Sequence, residues 1–152
     1  RMKETCKKHN TNMYAPSGAV IGIDGLKAAC IGDIESIKLT TRKSPKSLSM
    51  ETEECKTLFK GKASEAVKKY PKNMNVAATL SLSCKRDIDV EIIVDPNVDR
   101  NIHEVHVIGN FGEFKTITCN QPSKANPKTS HLTALSAIQK LRSINKQFHI
   151  GT

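Results

Sequence analysis

The stretch from Asp87 to Cys119 constrains this chain most. Asp87–Val94 alternates, with Ile88, Val90 and Ile92 facing one way and Asp87, Asp89 and Glu91 the other. That is the two-residue period of a half-buried strand. Two more strand-like runs follow, Ile102 to Ile108 and Glu113 to Cys119, joined by a tight turn at Gly109-Asn110-Phe111-Gly112. Consecutive strands so joined pair antiparallel. The block therefore predicts an α+β fold: a mixed, largely antiparallel sheet with helices packed on one face.

The remaining segments supply the helices. Arg1 to Asn10 is polar and helix-compatible, and Asn12 to Ala15 reads as a short strand broken by Pro16-Ser17-Gly18. Leu26, Ala28, Ala29 and Cys30 fit one or two helical turns stopped near Gly32, and Ile34 to Thr41 reads as a strand. Lys43 to Glu54, rich in Ser, Pro and Thr, reads as a loop. Ala63 to Tyr70 is helical and ends at Pro71, which cannot continue a helix. Asn75 to Cys84 predicts a buried helix with Asn73 near its N-terminus. A last helix runs from about Thr129 to Ile144, with a stripe of Leu132, Leu135, Ile138 and Leu141. There is no internal repeat, and no run approaches the roughly 18 apolar residues of a membrane span.

The 152 residues carry a net charge of +9, from 24 Lys and Arg against 15 Asp and Glu. Nineteen of the cations are lysines and five are arginines. Arginine reads guanine edges and clamps phosphates, whereas scattered lysine is a generic solubilising cation. Aromatics are 4% and Trp is absent, so stacking platforms for nucleic acid are lacking. The balance points away from nucleic acid and toward a solvated basic surface or one that attracts anionic metabolites. Five cysteines without a CxxC pair give no support to a zinc site or redox dithiol. They read as buried free thiols of a cytoplasmic protein.

Four short segments carry residue types suited to chemistry. Gly61-Lys62-Ala63-Ser64 resembles the end of a phosphate loop, but Lys56 stands where the first glycine belongs and Ala63 where the hydroxyl belongs. No GxGxxG occurs. His103 and His106, three apart on a strand, point to opposite faces and cannot share a metal. His103 shares its face with Val105 and Val107, the setting of a structural histidine or of a shielded acid–base group. Asn126-Pro127-Lys128-Thr129-Ser130 leads into the last helix, so Thr129 or Ser130 is either an N-cap or part of an anion site beside Lys128. Pro71-Lys72-Asn73-Met74-Asn75 precedes its helix in the same manner.

Several segments in register go beyond patterning. They are Tyr14-Ala15-Pro16-Ser17-Gly18-Ala19, Thr40-Thr41-Arg42-Lys43, Pro71 to Thr79, Asn101-Ile102-His103-Glu104 and Asn126 to Ser130. In this order and spacing the chain resembles the C-terminal portion of the L-aspartate dehydrogenases over nearly its whole length. The resemblance implies a two-domain enzyme: residues 1–15 would be the last helix and strand of an N-terminal Rossmann domain, and residues 16–152 the substrate-binding and dimerisation domain. It implies NAD- or NADP-dependent oxidation of L-aspartate to iminoaspartate in a homodimer. It puts the catalytic histidine at His103 and cofactor contacts at Asn73 and the Ser17-Gly18-Ala19 turn. Charge and capping add Lys72, Lys128, Thr129 and Ser130 as candidate carboxylate ligands. The family's usual glycine pair after that turn is Ile21-Gly22 here. A non-catalytic binding or dimerisation module built on the same domain is the alternative.

Overall fold

The structure is a computed structural model that describes residues 2–71, 74–126 and 129–151. Its elements in chain order are α1 (Met2–Lys8), α2 (Ile23–Ala29), β1 (Ile34–Lys43), a 3-10 turn (Pro45–Leu48), β2 (Lys56–Lys62), α3 (Ala63–Lys69), α4 (Asn75–Cys84), β3 (Asp89–Val94), β4 (Asn101–Gly109), β5 (Gly112–Asn120) and α5 (His131–Ser143).

The five strands form one sheet in the order β2-β3-β1-β4-β5. β1 and β3 run parallel, and every other pair is antiparallel. The mixed, mainly antiparallel α+β architecture is thus as the sequence predicts. Ile37, Leu39, Val90, Ile92, Val105 and Val107 alternate onto the inner face and pack with Leu26 of α2, Ala66 of α3 and Ala77 and Leu80 of α4. Each aliphatic side chain fully buried in this way contributes about 1.5–3 kcal/mol. Lys38 of β1, Glu104 of β4 and Lys115 and Ile117 of β5 lie on the opposite, more open side. There Lys38 pairs with Glu91 and Lys115 with Glu104.

Local chemistry accounts for the element ends. The Lys62 N–H donates to the Glu65 carboxylate at 3.4 Å at the start of α3, a capping contact, and Pro71 follows its end. Asn110 and Phe111 form the two-residue tip of the β4–β5 hairpin, where Gly112 takes φ +111°. The Asn110 N–H donates to the Asp33 carbonyl, and the Asp33 N–H donates back to Asn110 Oδ1. The hairpin tip is thereby tied to the entry of β1.

Four expectations need correction. Asn12 to Ala15 is irregular, because no strand of the sheet pairs with it. The predicted loop after Lys43 contains the 3-10 turn, where Ser44 accepts from the Ser47 N–H. β2 was not foreseen at all. Among the cysteines only Cys84 is buried, while Cys55 and Cys119 are exposed. A further point concerns α5: none of its 13 residues is buried. Leu135, Ile138 and Leu141 are left largely in the open. No helix among the described residues is long and apolar enough to cross a membrane.

Candidate functional site

The inner face of the sheet changes character along β1. Its alternating residues are Ile37, Leu39, Thr41 and Lys43, so the apolar series gives way to a hydroxyl and then an ammonium. The neighbouring strands change in step. Thr41 is paired with His103, and His103 with Thr118. Two residues further along, Asn101 is paired with Asn120, and Lys43 stands on the same rising row. Two polar rows, Thr41–His103–Thr118 and Lys43–Asn101–Asn120, therefore close the apolar core at the end of β1.

Above these rows lies a cavity of about 270 Å³. Its wall is completed by the Ser17-Gly18-Ala19 turn, by Asn75, Val76 and Thr79 from the first turns of α4, and by Thr129, Ser130 and Thr133 around the start of α5. The turn is held by its main chain. The Ala19 carbonyl accepts from Thr118 Oγ1 and Asn120 Nδ2, both at 3.0 Å, and the Gly18 N–H donates to Ser136 Oγ at 3.1 Å. Ser130 Oγ donates to Asn120 Oδ1 at 2.5 Å. Asn120 thus staples the turn to the α5 entrance. Ser130 stands at the N-cap position but makes no side-chain cap; its hydroxyl is turned to Asn120 instead.

His103 is 6% exposed, and its Nδ1 lies 3.1 Å from Thr41 Oγ1. With Nδ1 so engaged, Nε2 is the nitrogen left for a ligand. Burial, reinforced by the positive charge of Lys43, lowers the imidazole pKa to about 4. The ring is therefore neutral at physiological pH, with a lone pair to offer. Lys43 is itself 7% exposed, and burial lowers its pKa from the ordinary lysine value. His106 lies on the other face of the strand, 2.8 Å from Glu113, as the spacing requires.

The structure thus brings Ser17, Gly18, Ala19, His103, Thr129 and Ser130 to one cavity. Lys72, Asn73 and Lys128 lie outside the described residues. The sequence reading does not assign the polar floor residues Thr41, Lys43, Asn101, Thr118 and Asn120, nor the cavity-lining Asn75, Val76, Thr79 and Thr133. The available signal was parity, since Thr41 and Lys43 continue the buried series begun by Ile37 and Leu39. Polar residues at core parity in a strand's last turn mark the floor of a site.

Known proteins place this geometry. A family model, "Aspartate dehydrogenase, C-terminal", matches residues 24–144, which include Lys43, His103 and the α5 entrance. The chain belongs to the aspartate dehydrogenase family. It is 58% identical over 149 residues to the L-aspartate dehydrogenase of Methanothermobacter thermautotrophicus, covering 98% of this chain and 58% of that protein. It is 50% identical over 161 residues to that of Methanosarcina mazei, covering 96% of this chain and 59% of the relative. The chain therefore spans about three fifths of the length of these relatives. The crystal structure of aspartate dehydrogenase from Thermotoga maritima matches with a TM-score of 0.83 at 29% identity, covering 99% of this chain and 62% of that one.

Proposed function

We propose that this chain is the substrate-binding and catalytic portion of an NAD- or NADP-dependent L-aspartate dehydrogenase of the cytoplasm. The observation that carries the reading is a neutral, buried His103 facing a cavity whose floor is cationic. Oxidation of an amino acid removes hydride from Cα and a proton from the nitrogen, giving an imine. A nicotinamide accepts the hydride when it is bound. His103 Nε2 takes the proton from the substrate's ammonium group, or activates the water that hydrolyses the imine. Thr41 serves either ring tautomer, accepting from Nδ1–H or donating to bare Nδ1. Iminoaspartate then yields oxaloacetate and ammonia, or enters NAD biosynthesis.

The turn at residues 17–19 fits a nicotinamide ribose. Gly18 takes φ +71°, and no atom lies within 4 Å of where its Cβ would stand. A planar ring can therefore approach the bare main chain. Asn73 is assigned to the cofactor, and Lys72, Lys128, Thr129 and Ser130 to the substrate's carboxylates. The pyrophosphate is left to an N-terminal Rossmann domain, of which residues 1–15 form the end. The uncovered α5 stripe and the exposed Ile117 on the open sheet face support burial against a second copy in a homodimer.

The test is turnover. The complete gene product oxidises L-aspartate with NAD or NADP, and His103→Ala lowers kcat by at least about 100-fold, the scale of a lost general base, with an unchanged circular dichroism spectrum. Full activity in that folded variant removes His103 from the mechanism.

A further inference from the structure

Asn120 is a buried polar side chain that bonds to two walls of the cavity without lining it. It is the last residue of β5 and 5% exposed. Its partners fix the orientation of its amide. The Ala19 carbonyl can only accept, so Nδ2 faces it at 3.0 Å and also donates to Thr118 Oγ1 at 3.3 Å. Oδ1 then points the other way and accepts from Ser130 Oγ at 2.5 Å. A carboxamide is planar and presents its donor and its acceptor at a set spacing. The Ser17-Gly18-Ala19 turn and the start of α5 are thereby held a set distance apart. Neither is fixed by deep burial of its own residues: residues 16–19 are half-buried, and no residue of α5 is buried. Taking an amide out of water opposes folding unless its polar atoms find partners. Leucine would fill the same space without that cost, so packing alone does not call for an asparagine here.

We infer that Asn120 is a positioning residue for hydride transfer: it sets the spacing between the turn assigned to the nicotinamide ribose and the α5 entrance assigned to the substrate's carboxylate. This inference rests on the reading of the cavity as an aspartate dehydrogenase site. In that reaction the hydride leaves Cα with its bonding pair and reduces the nicotinamide ring. Cα is oxidised to the imine carbon, and the nitrogen's proton goes to His103. Such a transfer needs the reacting atoms within about 3–3.5 Å of each other, and a misplacement of about 1 Å costs about 100-fold in rate. The two reactants rest on different walls, so their separation is only as well defined as the link between those walls. Asn120 is the link at the start of α5. The Gly18 N–H bond to Ser136 Oγ, at 3.1 Å, is a second tie, but it grips the second turn of the helix. Asn120 acts through Ala19 and Ser130, so it governs the rate of the chemical step more than the affinity for substrate.

The experiment is a single turnover of the complete gene product with L-aspartate and NAD or NADP, followed by the absorbance of the reduced nicotinamide. Its amplitude and its rate constant report different things. A merely structural loss lowers the amplitude, because fewer molecules are folded, whereas misplaced reactants lower the rate constant. Asn120→Leu keeps the volume and removes the three hydrogen bonds, and Asn120→Ala leaves room for water in their place. In both variants the rate constant falls at least tenfold, while the amplitude and the KM for L-aspartate stay close to wild type. A second readout needs no ligand. In Asn120→Leu the Gly18 amide exchanges its hydrogen with solvent at least tenfold faster than in wild type, and the amides of β4 exchange as before. A smaller fall in the rate constant of either variant, or Gly18 exchange as slow as in the wild type, overturns the inference and leaves the cavity reading standing. A wild type that gives no turnover with L-aspartate overturns both.

Discussion

His103 shows how a single residue is tuned by what surrounds it. Its partner Thr41 is 1% exposed, so the pair is shut off from water on the sheet side. Replacing Thr41 by Val keeps the shape and removes the hydroxyl that orients the ring. We expect kcat of the complete enzyme to fall about tenfold, equal to about 1.4 kcal/mol and close to the worth of one net hydrogen bond. KM should stay nearly constant and Thr41→Ser should restore the rate. An unaltered kcat in Thr41→Val would mean that the imidazole is held by its packing alone. The same burial gives stability an acid limb. An unfolded chain protonates this imidazole below about pH 6.5, whereas the folded chain resists until about pH 4. Between those values the unfolded state binds more protons, so stability falls as pH drops from 6.5 to 4, by about 3 kcal/mol in all. Above pH 6.5 the term is constant. Urea melts of wild type and His103→Gln across this window should converge on acidification. Parallel curves would show that His103 titrates normally.

Among the elements, the β4–β5 hairpin carries most of the polar floor, because His103, Asn101, Thr118 and Asn120 ride on it, with Thr41 and Lys43 coming from β1. Its tip holds two glycines with different duties. A Cβ on Gly109 would run into the Asp33 carbonyl oxygen and the Phe111 ring, and backbone cannot step aside. Gly112 has open space around it and only its φ of +111° to protect. Gly109→Ala should therefore cost about 1–3 kcal/mol, the range of overpacking, and Gly112→Ala about 1 kcal/mol. Chemical denaturation checks the order, and equal losses would place the cost in backbone angle alone. This hairpin was readable in the sequence because its glycines bracket two clean alternations. α4 was equally plain, its predicted range Asn75 to Cys84 being the observed one. β2 was hidden for a physical reason. As the edge strand it pairs only with β3, and its residues Lys56–Lys62 are mostly exposed or half-buried, with a register shift between Thr57 and Phe59. No apolar alternation is required of it, so none was there to read. Lys43 escaped for the opposite cause: an inward lysine looks like a strand end until the strands beside it are known.

Over the whole molecule, the proposed function divides recognition of the substrate from recognition of the dinucleotide. The polar floor, the α4 turns and the α5 entrance enclose the cavity to which the proposed function assigns the substrate. The proposed function gives the cofactor one turn, Ser17 to Ala19, together with Asn73. No GxGxxG is present to cradle a pyrophosphate at a helix N-terminus. That term provides much of a dinucleotide's affinity, because phosphates gain both amide hydrogen bonds and the helix dipole. Residues 1–152 should accordingly bind NAD with Kd above about 1 mM, corresponding to less than about 4 kcal/mol, while still accepting a dicarboxylate. The net charge of +9 sharpens the contrast. It attracts any polyanion non-specifically, so weak NAD binding should fade with added salt. Dicarboxylate binding in the cavity beside His103 should persist further into the salt titration. Calorimetry at low and high ionic strength measures both. Saturable, salt-resistant NAD binding in the micromolar range would place pyrophosphate recognition within these 152 residues, and the assignment of the dinucleotide to a separate Rossmann domain would then fail.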